Sequence, residues 1–382
     1  MSEVAQVTHS SPDGHIPQLR FPQFSHDWAI STIGNLAKID TGNRDTQDRV
    51  NSGKYPFYVR SNTVERINEY AFDGEAILTS GDGVGVGKNF HYVVGKFNYH
   101  QRVYSIHNFT NSTNGKFIYY YFADKFYRRV SRLSAKNSVD SVRMSMISDM
   151  PISIPAKPEQ QKIAAFLTAV DNKIELLRQK QELLGEYKKG LMQQIFSQAI
   201  RFKADDGIEF PDWEEKKLGG VGRIRKGSQL NKSELTDTGD YPAINGGINP
   251  SGYTDKWNTG KNTITISEGG NSCGYINFIT SKFWSGGHCY SIEELKGDVL
   301  NRFLFQYLKF NEHLIMRLRV GSGLPNIQKG EINNFKVNLP SLEEQTKIAN
   351  LLSSIDSKIE QVGKQLRESK QFKKALLQQM FV

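Results

Sequence analysis

A chain of 382 residues, 38% hydrophobic and 11% aromatic, can bury two ordinary globular cores, which excludes disorder for the bulk of it. Its 49 Lys and Arg against 40 Asp and Glu leave a net charge of +9, which favours a polyanionic partner or an acidic protein surface. Cys273 and Cys289 are too few for a disulfide scaffold or a four-ligand zinc site and read as packing residues in a reducing cytosol. No apolar run approaches the roughly 20 residues that span a bilayer, and the first residues are polar rather than signal-like, so a cytoplasmic location is expected.

In chain order, residues 1–18, rich in Ser, His, Gly and Pro, lack periodicity and are expected to form a mobile tail. A first domain is expected over 19–155. It opens near Trp28, Gly34 and Gly42, passes Tyr55-Pro56, and holds the β-favouring runs Ala76-Ile-Leu-Thr-Ser-Gly-Asp-Gly and Tyr104-Ser-Ile. A long helix over 156–199 follows, with Pro158 in its first turn, where proline is tolerated. A second domain over 200–340 repeats the first: Trp213, Gly219 and Gly227 stand 185 residues beyond Trp28, Gly34 and Gly42. One residue of drift then accumulates to Tyr241-Pro242, and Thr263-Ile-Thr-Ile-Ser-Glu-Gly-Gly and Tyr290-Ser-Ile match the earlier strands. The last helix, over 341–382, restores the 185-residue register: Asp356, Lys358, Ile359 and Glu360 repeat Asp171, Lys173, Ile174 and Glu175. Ser341 and Glu344 read as its capping box. So long a period makes each copy a domain plus a helix rather than one turn of a solenoid.

Both helices carry a heptad seam. The first runs Ile163, Leu167, Val170, Ile174, Leu177, Leu184, Leu191 and Ile195, interrupted at Gln181 and Lys188. The second runs Ile348, Leu352, Ile355, Ile359, Val362, Leu366, Leu376 and Met380, interrupted at Ser369 and Lys373. A parallel in-register pair would oppose Lys188 and Lys373 in an apolar seam. An antiparallel pair instead sets Lys188 near Asp356 and Lys373 near Asp171, although a shifted register or a partner's helix would change these neighbours. The expected fold is therefore α+β: two domains in pseudo-twofold relation joined by an antiparallel coiled coil, a rod of about 48 Å.

Leu19-Arg-Phe-Pro, Phe210-Pro-Asp-Trp, Pro158-Glu-Gln-Gln-Lys-Ile-Ala and Glu344-Gln-Thr-Lys-Ile-Ala, with Asp-x-Lys-Ile-Glu after each of the last two, resemble the specificity subunits of Type I restriction-modification systems. The resemblance covers nearly the whole chain. It implies two target-recognition domains, each reading half of a bipartite site in double-stranded DNA, and two helices that act as a spacer. It also implies partners: two modification subunits that bind S-adenosylmethionine and methylate adenine, and restriction subunits that use ATP and Mg. The chain itself is then expected to be non-catalytic, with no cofactor or metal of its own.

Base edges and phosphates call for Arg, Lys, Asn and Gln presented on loops. The first domain offers Arg44, Gln47, Arg49, Lys54, Arg60, Asn62, Lys88, Asn89, Gln101, Arg102, Lys136, Asn137 and Arg143. The second offers Arg225, Lys226, Gln229, Lys232, Asn245, Lys256, Asn271, His288, Arg319, Asn326, Gln328 and Lys329. Arg143 and Gln328 occupy equivalent places before the last strand of each copy. Arg prefers guanine and Gln prefers adenine, so one address with two residue types would read two half-sites.

Other motifs fail. Gly81-Asp-Gly-Val-Gly-Val-Gly-Lys88 has Asn89 where a P-loop needs Ser or Thr, which leaves a tight turn. Pro211-Asp-Trp-Glu-Glu-Lys216 has the letters of a nuclease motif packed into one stretch, and its counterpart near Trp28 lacks them. The readings that compete with a Type I subunit are the specificity chain of a Type II system with fused cleavage and methylation, a stand-alone nuclease or methyltransferase, and a protein-only coiled-coil adaptor.

Overall fold

The computed structural model describes residues 6–7, 16–133, 141–321, 323 and 325–382. Most of the tail expected over 1–18, and Lys136 and Asn137, lie outside the described residues. The chain forms two compact units, Met1–Arg178 with Lys364–Val382, and Gln179–Gly363.

In the first unit β1 (Gln6–Val7) pairs with β2 (Leu19–Arg20). Then follow β3 (Ala29–Thr32), the single turn α1 (Ile33–Leu36), β4 (Lys38–Thr41), β5 (Tyr55–Tyr58), β6 (Val64–Ile67), β7 (Phe72–Ser80), β8 (Phe90–Tyr99) and β9 (Val103–His107). Helices α2 (Gly115–Leu133) and α3 (Met144–Ser148) precede β10 (Pro151–Ile154) and the long α4 (Lys157–Phe196). A six-stranded sheet has the order β4-β9-β7-β8-β5-β6, antiparallel except for the parallel pair β5 and β8. Strand β10 closes back on β3 in a separate antiparallel pair.

The second unit repeats this plan with β11 (Glu214–Lys217), α5 (Leu218–Val221), β12 (Arg223–Lys226), β13 (Tyr241–Ile244), β14 (Tyr253–Thr254), β15 (Thr263–Ser267), β16 (Ile276–Ile279), β17 (Trp284–Ser285) and β18 (Cys289–Glu293). Helices α6 (Asn301–Phe310), α7 (Glu312–Met316) and α8 (Lys329–Asn334), strand β19 (Lys336–Leu339) and helix α9 (Leu342–Met380) complete it, with α9 continuing into the first unit. Its strands run β12-β18-β15-β16 and β14-β13-β17, and β13 and β17 again pair in parallel. The difference is one break: the length of β8 is divided here between β16 and β17. Strand β11 pairs with β19 as β3 does with β10. The close approaches recur too, since a Cβ on Gly42 would collide with the Tyr99 carbonyl and one on Gly227 with those of Ser285 and Gly286.

Each sheet packs a helix between itself and the seam. Phe117, Ile118, Phe122, Phe126 and Val130 of α2 cluster with Ile77 and Ile106 of the sheet, with Ile163, Leu167 and Val170 of α4, and with Leu376, Met380 and Phe381. In the second unit Phe303, Leu304, Tyr307 and Leu308 do the same with Ile264, Ile266 and Ile292, with Ile348 and Leu352 of α9, and with Met192 and Ile195. At roughly 1.5 to 3 kcal/mol per buried large side chain, these contacts hold the helices more strongly than intrinsic propensity does. Within each unit the start of one long helix meets the end of the other, so the pairing is antiparallel, as the seam lysines predict. Lys373 Nζ lies 2.6 Å from Asp171 in the first unit and Lys188 Nζ 2.7 Å from Asp356 in the second. Each acid also accepts a bond from its own domain, Asp171 from Tyr120 Oη and Asp356 from Gln306 Nε2, both at 2.8 Å. The central seam residues Ile174, Leu177, Leu184 and Ile359 are only half-buried, whereas Ile355, Val362 and Leu366 are buried.

One capping expectation is corrected. Ser341 Oγ does accept from the Glu344 N–H at 3.4 Å, but the Glu344 carboxylate receives Arg201 Nη2 at 2.8 Å and Trp213 Nε1 at 3.2 Å. Glu159 is held in the same way by Arg20, with Nε at 2.7 Å and Nη2 at 2.8 Å, and by Trp28 Nε1 at 3.4 Å. The acid is withdrawn from the helix end because a fixed guanidinium and an indole bind it better than one backbone N–H does.

Candidate nucleic-acid interface

The most telling local geometry lies where β7 and β15 end. The N–H of Val142 donates to the carbonyl of Gly81 at 2.7 Å, and the N–H of Ile327 to that of Glu268 at 2.9 Å. Bridges Asp82–Ser141 and Gly269–Asn326 extend the two pairings. Tyr104 Oη donates to the Val142 carbonyl at 3.0 Å, and Tyr290 Oη to the Ile327 carbonyl at 3.2 Å. Burial raises the pKa of both phenols, which keeps them protonated donors. The next residue in each copy is Arg143 or Gln328, the exposed N-terminal cap of α3 or α8. Neither makes a side-chain cap bond to its helix, so the backbone holds a polar side chain outward at one address in two copies.

Around Arg143 the first unit gathers several expected contacts. Asp82 accepts from Arg60 Nη1 at 3.1 Å and lies 3.8 Å from Arg102 Nε. The N–H of Gln101 donates to the Arg44 carbonyl at 2.8 Å, and its amide to Asp45 at 3.0 Å. Arg44 pairs with Glu69, and Lys88 lies over the Tyr127 ring at 5.4 Å. The three arginines and Lys88 thus line one rim, with their acids exposed or half-exposed, where phosphate competes well for a guanidinium.

In the second unit the equivalent rim centres on buried Glu268. Lys226 Nζ lies 2.6 Å from it, Tyr290 Oη donates at 2.9 Å, and His288 Nδ1 is 3.5 Å away. Burial pushes the Glu268 pKa up, but Lys226, Tyr290 and His288 outweigh it and the net shift is down. Asn245 Oδ1 accepts from the His288 N–H at 3.2 Å, Gln229 Oε1 lies against Gly287, Asn326 Oδ1 accepts from Gln328 Nε2 at 3.5 Å, and Asn271 follows Gly269 and Gly270, whose backbones pair with Asn326 and Pro325. Lys226, Gln229, Asn245, Asn271, His288, Asn326 and Gln328 are thus drawn together.

Other candidates are placed differently. Asn89 is buried, and its amide donates to the Arg60 carbonyl at 3.2 Å, so it shapes the loop instead of facing a ligand. Arg225 is half-buried against Glu293 at 3.1 Å and donates to the Asn258 carbonyl at 2.6 Å. Arg49 pairs with Glu65 and Lys256 with Glu234, while Gln47, Lys54, Asn62, Lys232, Arg319 and Lys329 are exposed. The residues that organise the rims, Asp82, Glu268, Tyr104 and Tyr290, escape a search for cations and amides. The two tyrosines stand in the repeated Tyr-Ser-Ile, the one signal that marks them. Cys273 and Cys289 are buried and unpaired, as packing residues should be, and burial pushes the Cys289 thiol up to about 11. Among the described residues no helix is long and apolar enough to cross a membrane.

A protein of Mycoplasma pneumoniae assigned as a type I specificity subunit is 31% identical over 172 residues, 44% of this chain, and the chain spans 46% of that relative. The specificity subunit of a type I restriction enzyme of Methanocaldococcus jannaschii is 25% identical over 406 residues, covering 94% of this chain and 92% of the relative. The fold matches the crystal structure of a type I restriction-modification S subunit from M. genitalium with a TM-score of 0.73 at 21% identity, over 96% of this chain and 99% of that one. The family model described as the Type I restriction modification DNA specificity domain matches twice, at residues 25–186 and 211–368, the two copies of the repeat. A chain in which one domain and its helix are built twice, with this family's pattern in each, belongs to the Type I restriction-modification specificity family.

Proposed function

We propose that the chain is the non-catalytic reader of a bipartite, non-palindromic DNA site, docking two adenine-methylating modification subunits in the cytoplasm. Those subunits would bring S-adenosylmethionine, and restriction subunits would bring ATP and Mg. The observation that carries this reading is the address shared by Arg143 and Gln328: one backbone frame, built twice, presents side chains that prefer different bases. A palindromic reader would need the same side chain at both.

The test is a domain exchange. Residues 21–150 are replaced by those of another family member, the chain is expressed with its modification subunits, and methylated adenines are mapped by sequencing. One half-site should change and the other should stay. Change in both halves, or in neither, would overturn the modular reading.

A further inference from the structure

Val84 is 99% exposed, the highest value among the large hydrophobic residues described as exposed. A single exposed valine on a loop ordinarily needs no explanation. This one is held out by a built turn. Gly83 and Gly87 have φ of +80° and +64°, and the Val86 N–H donates to the Gly83 carbonyl at 3.1 Å while its side chain is buried in the core. Asn89 ties the same loop to the Arg60 carbonyl.

The second unit contains the same turn. Gly270 and Gly274 have φ of +75° and +87°, the Cys273 N–H donates to the Gly270 carbonyl at 3.1 Å, and Cys273 is buried where Val86 is. Asn271, exposed, therefore stands where Val84 does. Bridges Asp82–Ser141 and Gly269–Asn326 place both loops beside the residues that lead into Arg143 and Gln328. The backbone at this second address is kept, and the side chain alone differs.

We infer that Val84 and Asn271 are specificity-determining residues: Val84 packs on the C5 methyl of a thymine in the first half-site, and Asn271 pairs with an adenine edge in the second. An apolar side chain in a polar rim can add affinity only against an apolar group, and the thymine methyl is the apolar group of the major groove. This rests on the DNA-reading function proposed above.

The experiment uses the full chain assembled with its modification subunits and duplexes carrying the mapped site. Each thymine is replaced in turn by uracil, which lacks the methyl, and each adenine by 7-deazaadenine, which lacks N7. One uracil in the first half-site should weaken binding by about fourfold, the worth of one buried methyl group, and Val84→Ala should bind thymine and uracil alike there. One 7-deazaadenine in the second half-site should cost about tenfold, an effect lost in Asn271→Ala. Specific binding in which no uracil position depends on Val84 would overturn the inference while leaving the function intact. So would a Val84→Ala complex that assembles poorly but discriminates bases normally, since Val84 would then touch protein. Failure of the unmodified assembly to bind any duplex specifically would remove the function, and the inference with it.

Discussion

Removing Arg20 would leave Glu159 as a carboxylate that water does not reach, since both side chains are 3% exposed. Breaking such a buried pair from one side costs about 3 to 5 kcal/mol, because the remaining charge loses its compensation. Arg20→Ala should therefore lower stability by that order in urea unfolding. Arg201→Ala should cost less: the Glu344 side chain is itself 0% exposed, but Arg201 is 23% exposed, so water can enter the space its guanidinium vacates and solvate the carboxylate. At the exposed Lys54, replacement by Ala should weaken DNA binding across sequences and reduce the salt slope by about one, whereas Arg143→Ala at the rim should relax one half-site by about 1 to 3 kcal/mol, as read by competition binding. Residues of this kind are only partly legible in a sequence. The two glutamates stand in the most repeated stretch, yet their arginines lie 139 and 143 residues away and are not in equal register, so no local pattern joins them. Asn89 misleads for the converse reason: an amide in a Gly-rich loop looks available until the fold turns it inward.

At the scale of elements, the long helices are the most legible part, because a 3.5-residue period with one interrupting lysine per helix fixes both the seam and its direction. Their weak points are equally readable. Gly185 and Gly190 sit inside α4, and a Cβ at either would meet nothing within 4 Å. Gly185→Ala and Gly190→Ala should each add roughly 0.5 to 1 kcal/mol to stability in the same unfolding experiment. The sheets are less legible. Parallel pairing of β5 with β8 rests on two residue pairs, Phe57 with Asn98 and Tyr58 with Tyr99, and nothing in an alternating pattern distinguishes it from antiparallel pairing. One consequence of the first sheet is its pH response. Burial depresses the pKa of His91, of His100 (where Arg60 adds to it) and of His107, against the Ser61 carbonyl at His91 and Asp40 at His107. The unfolded chain takes up these protons as pH falls through about 6.5, and the folded one resists until lower values. Stability contributed by the neutral rings is thus full above that pH and is lost as pH falls toward the folded values. Melting temperature should drop in this window, and His107→Gln should flatten the drop.

For the whole molecule, the repeat predicts what half of it does. A fragment ending near Gln198 keeps the first domain and all of α4 but lacks residues 364–382, which cover Leu167 and Val170. A second copy can supply the equivalent residues, with Leu191 for Leu376, Ile195 for Met380, and Lys188 for Lys373 beside Asp171. The fragment should therefore dimerise, and with modification subunits it should methylate an inverted repeat of the first half-site. Light scattering that finds a monomer at micromolar concentration, or methylation of the parent's asymmetric site, would sink this expectation. Sequence repetition made this legible, whereas the division of the chain into units did not, because both boundaries fall inside unbroken helices. That division also sets an order of events on the ribosome. The first domain emerges early, yet the residues that complete its core are synthesised only after the whole second unit. During translation its apolar flank waits uncovered, open to a chaperone or to the emerging helix of a neighbouring nascent chain.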